Sequence, residues 1–356
     1  MKVLIGEISS YKAIVIARHL RKTYSDVYLM AYDRKKAICF CHTKYVDECI
    51  FIEHKDTDTY IYKLAECVRD NGVDVFIPVH SDYIGEILLH KEWFGHSLDY
   101  LGVFSDYVQL HEKDQLMSIA KESGVHVPIQ FDSIERAKVP FVLKPTNKSS
   151  AKGVRYCMQE SDKQKLKSKV DKSDSRMIYQ EYVVGIGCGY SVFCKNGRII
   201  QEYGHMRLAE YPTSGGSSVY RKGYVHPSMR TTAEKILSRV AWTGFVMFEF
   251  KLTPTNELIL IEVNPRIWGS INQALQDGIP FFSAIFGRDA VRIAQPSDSK
   301  VRTCLSPQVF LSFLIYALKG DVSQLVDFLT YRSFVSKDVS FWNDPKGFTS
   351  MMLRKL

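Results

Sequence analysis

The chain has 356 residues, 46% of them hydrophobic and 24% charged, with a formal net charge of +8. That length and composition describe an ordinary globular protein of two or three domains and exclude collagen-like, low-complexity and disordered chains. The densest basic stretch, residues 163–176, interleaves lysines with Asp and Ser. It reads as a solvated helix and turn, so no nucleic-acid partner is expected.

The opening MKVLIGE reads as a strand and shows no signal-peptide pattern. SSYKAIVIARHLRK has helical spacing, DVYLMAYD and ECIFIE read as strands, TYIYKLAECVRDNG as an amphipathic helix, and VDVFIPV as a buried strand. Strands separated by helices predict an open parallel sheet. Such a sheet takes its ligands beyond the strand carboxyl ends, here GEIS at residues 6–9 and HSD at residues 80–82. Cys39, Cys41, His42 and Cys49 cluster locally but lack the second ligand pair of a zinc site. Eight cysteines without a paired framework suit a reduced, cytoplasmic setting.

KDQLMSIAKESG then reads as a helix, and PFVLKPTNKSSAKGVRY as strand, Ser- and Gly-containing loop, and strand. SRMIYQEYVVGIGCGYSVFCKNGRIIQEY holds a strand pair turning at Asn196 and Gly197. HMRLAEYPTSGGSSVYRKG reads as a long polar loop, of a length that is commonly functional. A helix, TTAEKILSRVAW, leads to the strand FVMFEFKL, the turn TPTN and the strand ELILIEVNPR. Beyond residue 280 the pattern predicts helix to the end, with the apolar run at 309–318 as a buried helix. That run falls short of the roughly 20 residues that span a bilayer, so no transmembrane segment is expected.

The late strand poses a physical problem. Leu258, Leu260, Glu262, Asn264 and Arg266 share one face if the chain stays extended. If TPTN closes a hairpin with Leu252 opposite Glu257, Glu249 faces Leu260 and lies diagonal to Glu262, about 7–8 Å away. Two carboxylates this close repel unless a proton or a cation intervenes. Magnesium fits, as a hard cation that takes a few carboxylate or amide oxygens and shares the rest with phosphate, and Asn264 supplies a third oxygen. A structural alternative has Lys251 or Arg266 neutralising the acids.

Four of these segments, in order across residues 113–266, resemble the ATP-grasp superfamily. FEFKLTPTNELILIEVNPR looks like its metal-binding hairpin and PFVLKPTNKSSAKGVRY like its phosphate-covering strand and loop. IYQEYVVG resembles its adenine linker and LHEKDQLMSIAKESGVHVP its first lysine-bearing helix. The nearest likeness is to the group around carbamoyl-phosphate synthase large chains and D-aspartate ligase-like enzymes. The resemblance implies a mixed α/β and α+β protein: an N-terminal Rossmann-like parallel sheet at 1–110, an ATP-grasp domain at 111–290, and a helical C-terminal extension at 291–356.

The same resemblance implies roles. ATP would lie between two sheets, with Lys113 and Lys144 on its phosphates and Ser149, Ser150, Ala151, Lys152 and Gly153 closing over them. Gln180, Glu181, Tyr182 and Val183 would read adenine, chiefly through the backbone of Tyr182 and Val183. Glu249, Glu262 and Asn264 would hold Mg2+, with Mn2+ an alternative, and Arg266 would stabilise the transferring phosphoryl group. The chemistry of the polar loop itself adds Arg207 as a phosphate clamp through bidentate pairing, with His205, Ser214, Gly215, Gly216, Ser217 and Arg221 facing a second substrate. One departure stands out: Gly189 occupies the position where many relatives carry an acid for the ribose hydroxyls, which leaves Glu181 as a candidate. The implied activity is an ADP-forming carboxylate–amine ligase with small-molecule substrates, in a protein that could be a homodimer. Bicarbonate activation and a nucleotide-binding regulator without turnover are the alternatives.

Overall fold

In a computed structural model of the chain, strands Lys2–Ile5, Tyr28–Asp33, Glu48–Phe51 and Val75–Ile77 run parallel in the order third, second, first, fourth. The structure describes every residue except 149–151, 171–175, 214, 288–294, 296–298 and 355–356. Successive strand residues alternate between two cores. Val3, Ile5, Leu29 and Ala31 enter one, whereas Leu4, Met30 and Phe76 enter the other, beside helix Thr57–Asp70. A sheet buried on both faces explains why these strands are apolar at consecutive positions.

Seven strands form the largest sheet, in the order Leu258–Asn264, Gly244–Leu252, Ile186–Lys195, Arg198–Tyr211, Ser217–Gly223, Arg302–Cys304, Val335–Lys337. Its two faces share the cores of the N-terminal sheet, through Phe245, Met247 and Trp268 on one side and Val246, Phe248 and Leu260 on the other. A smaller sheet orders Gln130–Phe131, Met177–Glu181, Phe141–Pro145 and Arg155–Cys157. It has a separate small core of Ile134, Ala137, Phe141, Leu143 and Cys157.

Four expectations change. The stretch read as a long loop at 205–223 is a hairpin, His205 pairing with Gly223 and Tyr211 with Ser217. Polar residues on both faces hid its period of two. Helix does not run unbroken after residue 280, because Arg302–Cys304 pairs with Ser217–Gly223 and then with Val335–Lys337. The apolar run at 309–318 is a helix, Gln308–Leu318, but Phe310, Leu311, Leu314 and Leu318 are exposed. Finally, the late hairpin is bulged. Leu252 pairs with Leu258 and Phe250 with Leu260, yet Glu249 pairs with Glu262, so Ile261 is an extra residue. The bulge turns Leu260 into the core with Phe250 and sets Glu262 directly opposite Glu249 instead of diagonal to it.

Candidate active site

One row of residues crosses the large sheet: Glu262, Glu249, Gly189, His205 and Gly223, each the register partner of the next. Strand Ile186–Lys195 contributes glycines at 187 and 189 on the face where its neighbours carry long polar side chains. A Cβ at Gly189 would lie 2.2 Å from the His205 ring, and one at Gly187 would lie 2.8 Å from both Arg207 Cδ and Glu210 Oε1. The missing side chains let His205 and Arg207 lie across the strand, and the Arg207 guanidinium reaches Glu249. The acid expected where Gly189 stands has no room, because the imidazole fills its place.

Glu249 and Glu262 are joined by Asn264, whose Nδ2 donates to Glu249 Oε1 at 3.2 Å and to Glu262 Oε1 at 2.9 Å. Arg266 Nη2 donates to Asn264 Oδ1 at 2.7 Å. The carboxylates are not equivalent. Burial pushes the Glu249 carboxyl up despite Arg207, whereas at Glu262 the raising effect of burial is outweighed by Lys113, the Asn264 amide, Lys144 and Arg266. Lys251, one candidate for neutralising the acids, instead donates to the Gly185 carbonyl at 3.2 Å.

Lys113 begins helix Lys113–Glu122, is buried, and donates to the Lys148 carbonyl at 2.6 Å. Lys144, on strand Phe141–Pro145, is pushed down to about 8 by burial, with Lys113 adding to the effect. Ser149, Ser150, Ala151 and Ser214 lie outside the described residues. Gly153 is left-handed at φ 78°, and a Cβ there would meet Pro145 Cγ at 2.8 Å. Lys152 pairs with Asp82 at 2.6 Å, joining the small sheet's loop to the carboxyl end of the N-terminal sheet.

In the linker segment, the Tyr182 N–H already donates to the Pro140 carbonyl at 3.0 Å. That leaves the Val183 N–H, which has no acceptor among the described residues. Glu181 Oε1 accepts from the Ile129 N–H at 3.0 Å, and Gln180 is fully buried behind the strand with its amide unpaired.

Other expected residues separate. His205 lines the cavity, but burial pushes its pKa well below the usual value, so it stays neutral; it bonds Ser270 Oγ at 3.0 Å. Gly215, Gly216 and Ser217 lie at the cavity wall. Arg221 does not face it. The guanidinium is fully buried against Asp338 of the C-terminal segment, an acid 117 positions away that no local pattern pairs with it. Sequence reasoning also missed Lys12, Gln308 and Arg354, which line the same cavity. Arg354 reaches Glu7 at 3.2 Å across 347 positions, and no local pattern marks such a pair.

Lys144, His205, Arg207, Glu249, Glu262 and Arg266 border one cavity of about 1270 Å3 between the small sheet, the large sheet and the strand ends of the N-terminal sheet. Lys113, Lys144, Arg207 and Arg266 surround Glu249 and Glu262, a cationic surplus suited to a polyanion. The architecture of two sheets enclosing a phosphate-competent cleft beside a parallel N-terminal sheet defines a nucleotide-binding α/β protein. Residues 110–270 match the ATP-grasp domain family, and the chain carries an ATP-grasp domain. Among solved structures, the biotin carboxylase domain of Hydrogenobacter thermophilus 2-oxoglutarate carboxylase, a dimer in complex with MgADP and bicarbonate, is similar with a TM-score of 0.66 at 14% identity. That match covers 83% of this chain and 71% of the other. N5-carboxyaminoimidazole ribonucleotide synthetase from Thermotoga maritima gives 0.60 at 15% identity, covering 83% and 78%, and L-amino acid ligase from Bacillus licheniformis gives 0.58 at 14%, covering 80% and 73%. No curated protein matches the chain.

Proposed function

We propose that the protein is an ADP-forming carboxylate–amine ligase that activates a small carboxylate as an acyl phosphate. The observation that carries this reading is the row of Glu262 and Glu249 facing each other across the bulge, ringed by four cations at the wall of one large cavity. The two facing carboxylates suit Mg2+, and the amide of Asn264, whose Nδ2 bridges them while its oxygen accepts from Arg266, would offer that oxygen once turned over. Glu249, Glu262 and Asn264 would hold the ion, which supplies charge neutralisation to the triphosphate.

Lys113 and Lys144 then bind the phosphates as point charges, and the Val183 N–H is the free backbone donor for adenine. Arg266 stabilises charge on the transferring phosphoryl group, a step governed by positioning and electrostatics. Arg207 serves chiefly to hold Glu249 in place and acts on phosphate only through it. The cavity exceeds the roughly 300–1,000 Å3 of a single small-molecule site, which leaves room for a second substrate. Lys12, Arg266 and Arg354 lie together near the start of helix Tyr11–Thr23, where burial and the two guanidinium groups hold the Lys12 amine well below its usual value; an anionic group of the second substrate would favour its charged form there.

The test is trapping. Protein, Mg-ATP, hydroxylamine and a metabolite extract are incubated and analysed by mass spectrometry against Glu262→Gln. An ATP-dependent hydroxamate missing from the variant is expected, and its mass names the carboxylate. ADP release without a hydroxamate would replace this reading with bicarbonate activation or a kinase.

A further inference from the structure

Helix Gln308–Leu318 turns only part of its apolar surface inward. Val309, Ser312 and Phe313 are buried, whereas Phe310, Leu311, Leu314 and Leu318 are exposed, Leu318 to 79%. That spacing places the exposed four on one stripe. The next helix, Ser323–Thr330, repeats the pattern: Val322, Leu325, Val326 and Leu329 form an outward stripe, and none of its residues is fully buried. Phe310 and Phe313 meet Phe328 with ring centroids at 5.9 and 5.4 Å, so the start of the first helix lies beside the end of the second. The pair is fixed to the large sheet by Asp327, which accepts from Tyr220 Oη at 2.6 Å and Arg302 Nε at 3.2 Å.

Eight large apolar side chains are exposed on these two stripes. Their exposed area is on the order of 800 Å2, above the roughly 300–600 Å2 of the largest patch on a typical monomer. It equals the about 800 Å2 that each partner buries in a standard interface. Apart from Asp327, which is turned to the large sheet, charge lies at the two ends: Lys319 and Asp321 at the turn between the helices, where Asp321 caps the second helix through Ser323 and Gln324, and Arg332 at the far end. A two-fold axis lying in the plane of the face and across the helices would bring the turn of one copy, with Lys319 and Asp321, to the far end of the other, with Arg332, twice. A rim of both signs complements itself under that operation. An anionic lipid surface would instead be met by a rim of one sign.

We propose that this face joins two copies of the chain, the two helical pairs packing as an antiparallel four-helix layer. Sedimentation equilibrium of the full chain, with circular dichroism and Mg-ATP thermal shift as controls of folding, reads the mass directly. The parent is expected at twice the chain mass across the micromolar range. Leu314→Glu and Val326→Glu each place two unpaired carboxylates in the interface and should raise the dissociation constant at least about a hundredfold. Asp321→Arg and Arg332→Asp should each weaken association about tenfold and together restore it. A parent of single-chain mass at every concentration, or glutamate variants that remain dimeric, would overturn the proposal. Flotation of a monomeric parent with phosphatidylserine-containing vesicles, lost in Leu314→Glu, would assign the face to lipid instead.

Discussion

Replacing Gly189 by alanine should destabilise the protein through one identifiable collision. The new Cβ would lie 2.2 Å from His205 Cε1, 2.9 Å from Nδ1 and 3.0 Å from Nε2. The ring is buried and bonded to Ser270 Oγ at 3.0 Å, so it cannot swing aside without losing that bond. Overpacking costs about 1–3 kcal/mol, and a lost buried hydrogen bond adds about 1 kcal/mol. Against this, alanine in a strand gains about 0.5–1 kcal/mol over glycine in chain entropy. The net expectation is a loss of about 1–3.5 kcal/mol. Urea denaturation of the parent, Gly189→Ala, His205→Ala and the double variant forms a cycle in which the collision appears as coupling. With the ring gone, alanine at 189 should be neutral or mildly stabilising. Because Gly189 is the register partner of Glu249, the single variant should also weaken Mg-ATP binding. A single variant within about 0.5 kcal/mol of the parent, or additive losses in the cycle, would refute the collision.

The remaining expectations concern charge. Lys144 is held at about 8 by burial. Nucleotide phosphates favour its charged form and raise that value, so binding is at full strength below about pH 8 and weakens as pH rises through it, by up to about tenfold per pH unit. Calorimetric titration between neutral and alkaline pH should show this decline, and Lys144→Arg should flatten it; a flat profile in the parent would separate Lys144 from the phosphates. At the fully buried Arg221–Asp338 pair, Arg221→Ala leaves Asp338 only the Asn272 amide at 2.9 Å and the charge of Arg18, whose Nη1 donates to the Asp338 backbone carbonyl. A loss of about 3–5 kcal/mol in denaturant unfolding is expected. Unchanged stability with a raised KM for the second substrate would return Arg221 to the substrate wall.

Much of the fold was legible because it rests on local periodicity. The alternation of strand and helix through residue 77 and the hairpin at residues 244–264 follow from patterns spanning only neighbouring positions. The acids and the amide of the candidate site were legible for the same reason, since Glu249, Glu262 and Asn264 belong to two strands joined by one turn. The bulge was not, because an extra residue leaves no mark in composition, and it decides which acid faces which. The run at 309–318 predicts a buried helix, yet Phe310, Leu311, Leu314 and Leu318 are exposed, because apolar sequence reports what a residue could bury, and not whether anything covers it.

The sequence by itself determined the strands and helices through residue 77, the hairpin at residues 244–264, the order of the motifs and the chemical types gathered near the phosphate-competent strands. Tertiary structure alone decided the pairings made over long separations. Arg207 was assigned to phosphate but holds Glu249, Arg221 was assigned to substrate but meets Asp338, and Arg354 arrives from the far end of the chain to meet Glu7 and line the cavity. A charged side chain seeks the nearest opposite charge in space. Nearness in space between distant residues is set by how sheets stack and strands register, which local periodicity does not encode.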